Sequence, residues 1–504
     1  MEKIKRHNLI LCHYFYFLVF LSFILLVVSR NSFLYEFNDA EDANTFYIVA
    51  RYLLNGKVLY RDFFEQKGPI IYFLNVIGQL LFPKSFHGMY ILEIIFGAFY
   101  YKYAYDTLEC LNPNPKRNAI ITLIGCSSSY AVPMLCHGGQ VEEFALPLFA
   151  FLIYQIVRSI HTKCDMSKIA LFSIGVQIAC VFWSKYLVLM FYVLALVFYA
   201  GYCFYIKEFR RIINMFLYIG LGFLTISILM ILYFIQTNSL SEMIQIYFVQ
   251  NIFSYAPVGE QVNIIGKLIN HMSSLVVGLG LTIVYIPLFF VMLNDVTSPV
   301  RKSKRTVVKI FVATVSFALV TCLIICGMSF SYYYIPCTVF NFLILYFLYD
   351  WTDELAKYRE ILKSGLLIVT IFPVISFLIY TGIHFGDYKR SISVTKEVSN
   401  IISTKEHNEV YIINTMDSGI YYNLDYLPDR YNFLQNNANY AEVGPQYWKA
   451  VEDQTADFVV MKLSAEMLND VDNLDREYES HNYEMLYSSP LDVSGIAVRL
   501  YGKK

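Results

Sequence analysis

FNDAEDANTFYIVARYLLNGKVLYRDFFEQKGP, residues Phe37–Pro69, decides how the chain must be placed. It follows one apolar segment and precedes many more, yet it carries Asp39, Glu41, Asp42, Arg51, Lys57, Arg61, Asp62, Glu65 and Lys67. Hydrocarbon cannot solvate this density of charge, so the stretch is an aqueous or interfacial loop attached to a membrane span. It is also patterned. Phe46, Val49, Ala50 and Leu53 recur at helical spacing across Ala43–Leu54, and Asn55-Gly56 supplies a helix stop. Acidic residues therefore stand at the start of a short helix beside a membrane. There they can cap the helix or complement its dipole, and Asp42 is placed for either. A carboxylate at a membrane surface can also serve as a base.

The remainder of the chain is built for lipid. Of its 504 residues 57% are hydrophobic and 16% charged, where a soluble protein carries about 25% charged residues. Mean hydropathy is +0.48. The formal net charge of −1 offers no basic surface for nucleic acid. The 43 tyrosines and 41 phenylalanines suit interfacial belts and sugar- or lipid-facing walls. The ten cysteines end at Cys337, in or beside apolar segments, and none has metal-ligand spacing with histidine. They read as small buried hydrophobes rather than a disulfide framework. No small-residue cleavage motif follows Leu9–Val28, which reads as a span and not a removed signal.

Basic residues set the orientation. Lys3, Lys5 and Arg6 place the N-terminus in the cytoplasm, and span one (Leu9–Ser29) delivers the polar loop, residues 30–69, to the outside. Ile70–Phe82 is apolar but too short for the roughly 20 residues of a span, so it is expected to lie on the outer leaflet, introduced by Pro69. With that choice Lys116-Arg117, Arg158–Lys168, Lys207–Arg211, Arg301–Arg305 and Lys357–Lys363 all fall on the cytoplasmic side. The expected fold is an all-α polytopic membrane protein of about eleven transmembrane helices over residues 1–383. A small extracytoplasmic α/β domain follows over 384–504. Its candidate strands are Val410–Ile413, Phe458–Met461 and Ile496–Tyr501, and its candidate helices Ser393–Ser403 and Gly444–Glu452.

Three clusters share the outer face in this topology: Asp39/Glu41/Asp42 with Lys67, Glu142/Glu143 with His137, and Lys185 with Tyr332–Tyr334. Carboxylates beside lysines at a leaflet boundary suit chemistry on a lipid phosphate. The carboxylate takes a proton from an acceptor hydroxyl, and the ammonium neutralises a phosphate leaving group. Glu93, costly in lipid, is expected to face the bundle interior. A Gly-rich phosphate loop, HExxH and GxSxG are all lacking.

Asp42-Ala43-Asn44-Thr45-Phe46, then Gly56, Tyr60-Arg61-Asp62 and Gln66-Lys67-Gly68-Pro69-Ile70-Ile71-Tyr72, resemble the first outer loop of GT-C glycosyltransferases. The groups in question are protein O-mannosyltransferases and the aminoarabinose transferase of lipid A. In them an Asp with Tyr or Phe four residues later opens the loop, and Lys/His-Pro-Pro-Leu-x-Tyr closes it. Here Asp-Glu is replaced by Asp-Ala and Pro-Pro by Gly-Pro. Glu142–Leu146 is similar to the family's second acidic site, Trp183-Ser184-Lys185 to its mid-chain lysine, and Tyr332–Pro336 to a late aromatic-Pro motif.

The resemblance implies an inverting transferase in the bacterial cell membrane that moves a sugar from a polyprenyl-phosphate donor to a lipid, glycan or protein acceptor on the outer face. By that likeness Asp42, Glu142 and Glu143 are catalytic, Lys67 and Lys185 hold the donor phosphate, and Asp39, Tyr60, Tyr332 and Tyr333 line the substrate. A divalent metal is compatible with such chemistry, but the residues do not indicate one, nor any other cofactor. The alternative is a transporter or flippase of lipid-linked sugars. That would favour charges at mid-membrane depth and internal repeats, whereas here the charges gather at one face.

Overall fold

The computed structural model of the chain describes residues 2–253, 264–293, 304–326, 330–354, 359–404, 409–413, 417–424, 427, 443–465, 467–491 and 496–504. Residues 254–263 of the expected long outer loop, Arg301–Ser303 of the most basic stretch, Met328 and Lys357 lie outside the described residues. The helices open in chain order with α1 (Glu2–Val28), α2 (Glu41–Leu54), α3 (Pro69–Leu81), α4 (His87–Leu111), α5 (Pro115–Tyr130), α6 (Val141–Thr162), α7 (Lys168–Phe182), α8 (Met190–Tyr205) and α9 (Phe209–Gln236). The chain forms two compact units. One comprises Met1–Leu34, Met89–Met230 and Val262–Gly382, the other Tyr35–Gly88, Ile231–Gln261 and Ile383–Lys504.

The first unit is a bundle of apolar helices. Across the chain, eight described segments are long and apolar enough to cross a membrane: Ile10–Val28, Val141–Thr162, Tyr186–Tyr205, Phe209–Gln236, Leu268–Met292, Lys304–Ile325, Ser331–Thr352 and Glu360–Ile402. Eleven spans were expected. The other three expected positions also hold helices, shorter or more charged than those eight. α5 and α7 have 16 and 15 residues. α4 has 25 but carries Glu93, Lys102 and Asp106. Two of those charges, Lys102 and Asp106, are tolerated because they pair with each other. Lys102 Nζ lies 2.6 Å from Asp106 Oδ2, and the Tyr14 hydroxyl donates to Asp106 Oδ1 across 2.7 Å.

Polar side chains join the helices where apolar contact gives no preference in lipid. Tyr100 and Tyr101 of α4 meet Ser129 and Ser127 of α5 at 2.9 and 2.7 Å. Ser129 donates to the Thr338 carbonyl (3.0 Å), and Asn341 to Ser128 (2.9 Å).

Charge alternation assigns Arg117, Arg305 and Asp350 to one face, and they meet: Arg305 lies 2.5 Å and Arg117 3.5 Å from the Asp350 carboxylate. At the same end Lys304 donates to the His161 carbonyl, 2.6 Å. Glu142 is at the opposite end of α6, whose 22 residues extend about 33 Å.

The second unit contains α2, α3 and the C-terminal residues. α3 has 13 residues, too few to cross a bilayer of about 30 Å. It buries Ile71, Tyr72, Asn75 and Gln79 and exposes Ile77, Leu80 and Leu81. That one-sided pattern suits a helix lying along an apolar boundary. The C-terminal sheet has four strands in the order β1-β2-β4-β3: β1 (Val410–Ile413), β2 (Phe458–Ser464), β3 (Tyr483–Ser488) and β4 (Ile496–Lys503). β1 and β2 are parallel with Val410 opposite Phe458; β4 pairs antiparallel with β2, Phe458 opposite Gly502, and with β3. Three of these strands were expected. β3 escapes notice because it is an edge strand, mostly exposed and interrupted by a shift at Met485/Tyr487, so its residues carry no buried alternation. The core of Tyr411, Val451, Val459, Met461, Leu463 and Tyr501 closes over the stacked pair Tyr478–Tyr501, ring centres 4.0 Å apart.

Candidate active site

In the second unit the local sequence builds a carboxylate–lysine pair. The Asn38 side chain accepts from the Ala40 N–H (2.9 Å), which turns the chain into α2 two residues earlier than apolar spacing suggests. Ala40 is consequently the N-cap, with no side-chain cap bond. Asp42 is therefore not a cap: it sits in the first turn beside Glu41, where its charge complements the helix dipole. Asn55 and Gly56 (φ +80°) end the helix as expected.

The return loop is held by its own polar groups. Asp62 accepts from the Val58 N–H (2.7 Å), and Tyr60, in the left-handed region at φ +68°, donates its hydroxyl to the Lys67 carbonyl (2.6 Å). Tyr60 is buried, so this bond orients the backbone at Lys67. Pro69 then opens α3 at its first position. α2 and α3 pack with Phe46 against Tyr72, ring centres 5.9 Å apart, and the Gln79 amide donates to the Tyr47 carbonyl at 2.6 Å.

Lys67 consequently points back at the start of α2. Its Nζ is 2.6 Å from Asp42 Oδ1 and 4.8 Å from the centre of the Phe46 ring. The lysine side chain is 12% exposed and the aspartate 26%, so the pair is screened far less than a free surface pair. Asp39 is half-buried three residues before Asp42.

Glu65 had drawn no role from the sequence. It is 1% exposed and its Oε1 accepts from the backbone N–H of Gln66 (2.9 Å) and Lys67 (3.2 Å). Burial holds its carboxyl above the ordinary carboxylate range, against the opposing pull of Lys67 and the two N–H groups. The acidic letter was visible, but not that the chain folds over it.

A second group assembles at one end of the first unit. Glu142 and Glu143 occupy the first turn of α6 and are 1% and 2% exposed, so neither is a solvated loop charge. Lys185, just beyond α7, donates to Glu142 Oε1 at 2.6 Å, and its Nζ stands 4.1 and 4.5 Å from the ring centres of Tyr332 and Tyr333. An ammonium between two rings and a carboxylate is strongly localised. Glu143 Oε2 accepts from the Gly139 N–H, 3.0 Å. Glu93 faces the interior, with Oε1 accepting from the Asn31 amide at 2.5 Å. The approach requires glycine at 138: its φ is +66°, and a Cβ there would come 2.3 Å from Ser29 Oγ. Among the described residues no group of three or more His, Cys, Asp or Glu could hold a metal ion.

Fold and charge placement together define a multi-pass membrane protein. Two solved structures show that fold. ArnT from Cupriavidus metallidurans in the apo state superposes with a TM-score of 0.61 at 11% identity, over 96% of this chain and 97% of that one. The same protein bound to undecaprenyl phosphate gives 0.60 at 12%, with the same coverage. No protein-family model matches the sequence. No curated protein matches it either.

Proposed function

We propose that this protein is an inverting glycosyltransferase of the bacterial cell membrane, taking a sugar from a polyprenyl-phosphate donor on the outer face. The N-terminus is then cytoplasmic and the C-terminal domain extracytoplasmic. The observation that carries the proposal is the Lys67–Asp42 pair at the head of α2, within the fold of a protein that binds undecaprenyl phosphate.

In the proposed step an acceptor hydroxyl attacks the anomeric carbon opposite the phosphate, the bond from that carbon to the phosphate oxygen breaks, and polyprenyl phosphate leaves with the electron pair. One displacement inverts the anomeric centre. Asp42 orients the acceptor hydroxyl and takes its proton. An ammonium has three donors, so Lys67 can hold Asp42 while it meets the phosphate, where negative charge grows as the bond breaks. Lys185, held by Glu142, Tyr332 and Tyr333, is the second candidate for the phosphate. Glu142 and Glu143 are the second acidic site, and Asp39 and Tyr60 belong to the substrate-facing loop.

The test is transfer by the purified protein in lipid nanodiscs, supplied with a panel of polyprenyl-phosphate sugars and scored for released polyprenyl phosphate. Release that depends on Asp42 supports the proposal. Movement of intact donor between leaflets without release would replace it with a flippase.

A further inference from the structure

Within α2 the Asn44 amide donates to the Asn38 and Ala40 carbonyls, at 2.6 and 2.9 Å, which ties down the last residues before Asp42. The residues just before these are held from the other end of the chain. Tyr388, on the helix Phe385–Ile402, is buried, and its hydroxyl accepts from the N–H of Glu36 (2.9 Å) and of Phe37 (3.2 Å) while donating to the Phe37 carbonyl (2.9 Å). A tyrosine hydroxyl has one donor and two acceptor sites, and here all three are spent on the backbone ahead of Asp42. Tyr35 packs edge-on against the same ring at 4.9 Å.

The grip continues along the segment. Lys396 pairs with Glu36. The Phe37 ring stacks on Tyr422 at 5.1 Å, and Tyr422 also meets Tyr47 of α2 at 5.1 Å. Arg51 donates to the Tyr421 carbonyl at 3.0 Å. Lys462 of β2 lies 2.8 Å from Glu41 Oε1, one residue before Asp42.

We infer that the C-terminal domain is a positioning element of the active site, with Tyr388 and Lys462 as the residues that fix where the Asp42 carboxylate stands. This rests on the proposed role of Asp42. Exposed ion pairs contribute little stability, so Lys462 acts on the direction of the first turn more than on folding. Tyr388 acts on the path of the chain into α2. Neither touches the reacting atoms; both act through the backbone, and small misplacements of a reacting group are costly.

The experiment compares Tyr388→Phe, Lys462→Glu, Glu41→Lys and the double charge swap in the full-length protein. Tyr388→Phe keeps the ring and removes three hydrogen bonds. It should lower kcat by about 10-fold or more while leaving KM for the donor unchanged, and should speed amide exchange across residues 36–44. Each single charge reversal should lower kcat up to about fivefold, and the double swap should restore it. A merely structural pair would not give that rescue with KM constant. Wild-type kcat and wild-type exchange in both Tyr388→Phe and Lys462→Glu would overturn the inference. If Tyr388→Phe fails to fold, the charge swap decides alone, since Lys462 and Glu41 are partly exposed. Asp42→Asn separates the two claims. If it is inactive while the positioning variants are normal, only this inference fails; if it is active, the reading of the site fails first.

Discussion

Lys67 Nζ bridges Asp42 and Phe46, 2.6 Å from the carboxylate and 4.8 Å from the ring centre, so one ammonium spans a single turn of α2. Residues four apart on a helix share a face. The Asp-x-x-x-Phe spacing of the first polar loop therefore makes a seat for a cation, and the lysine before α3 occupies it.

Replacing Asp42 by Asn should abolish transfer while the protein still inserts and folds. The amide keeps the size of the side chain and its contact with Lys67 but has no basicity. Turnover with a lipid-linked donor checks this, with Asp39→Asn as the comparison. Retained activity in Asp42→Asn alongside loss in Asp39→Asn would move the base to Asp39.

Alanine at Lys67 or at Lys185 should lower kcat, with a loss on the order of 100-fold for the more important of the two, as for removal of one preorganised donor. Arginine should restore activity only in part, because a planar fork replaces a compact charge. The reading is initial rate at saturating donor. Full turnover in both alanine variants would leave the two lysines as anchors of Asp42 and Glu142 and nothing more.

Asp417 gives a pH signature in the C-terminal domain. It is buried, its Oδ1 accepts from the N–H of Gly419 (3.0 Å) and Ile420 (2.6 Å), and burial pushes its carboxyl up to about 6. The folded protein thus holds a proton that the unfolded chain has already released, from near pH 4 up to about pH 6. Stability should fall as pH rises through that window, by up to about 3 kcal/mol, and stay level above it. Asp417→Asn keeps the acceptor for the two N–H groups and removes the titration. Thermal midpoints at pH 4.5 and 7, a range of about three times RT in proton linkage, should differ less in the variant than in the parent. An unchanged difference would assign the slope to other groups.

Single cysteines at Lys84 and at Ser303, in a background with the native cysteines replaced, should react with an impermeant label from opposite sides of the membrane. Lys84 follows α3, and Ser303 belongs to the most basic loop. Labelling of both from one side would require α3 to be a span.

Which charged residues share an end of the bundle was open to inspection because charge and hydropathy act locally. The meeting of Arg117, Arg305 and Asp350 at one end of the bundle, with Glu142 and Lys185 at the other, follows the alternation of basic loops. The limits of α2 were nearly legible too, apart from a start moved to Glu41 by the Asn38 side chain.

By itself the sequence determined that the chain is polytopic, where its first polar loop begins, and which carboxylates and lysines stand near the ends of helices. Each of these depends on a residue and its near neighbours. Only the tertiary structure decided that Lys67 reaches Asp42 and that Lys185 reaches Glu142 between two tyrosines. It alone decided that Glu65 is buried and that Tyr388 closes on the backbone ahead of α2. Such contacts, with the Lys462–Glu41 pair, join residues up to 421 positions apart, and their existence depends on how whole helices pack, a cooperative outcome that no local spacing encodes.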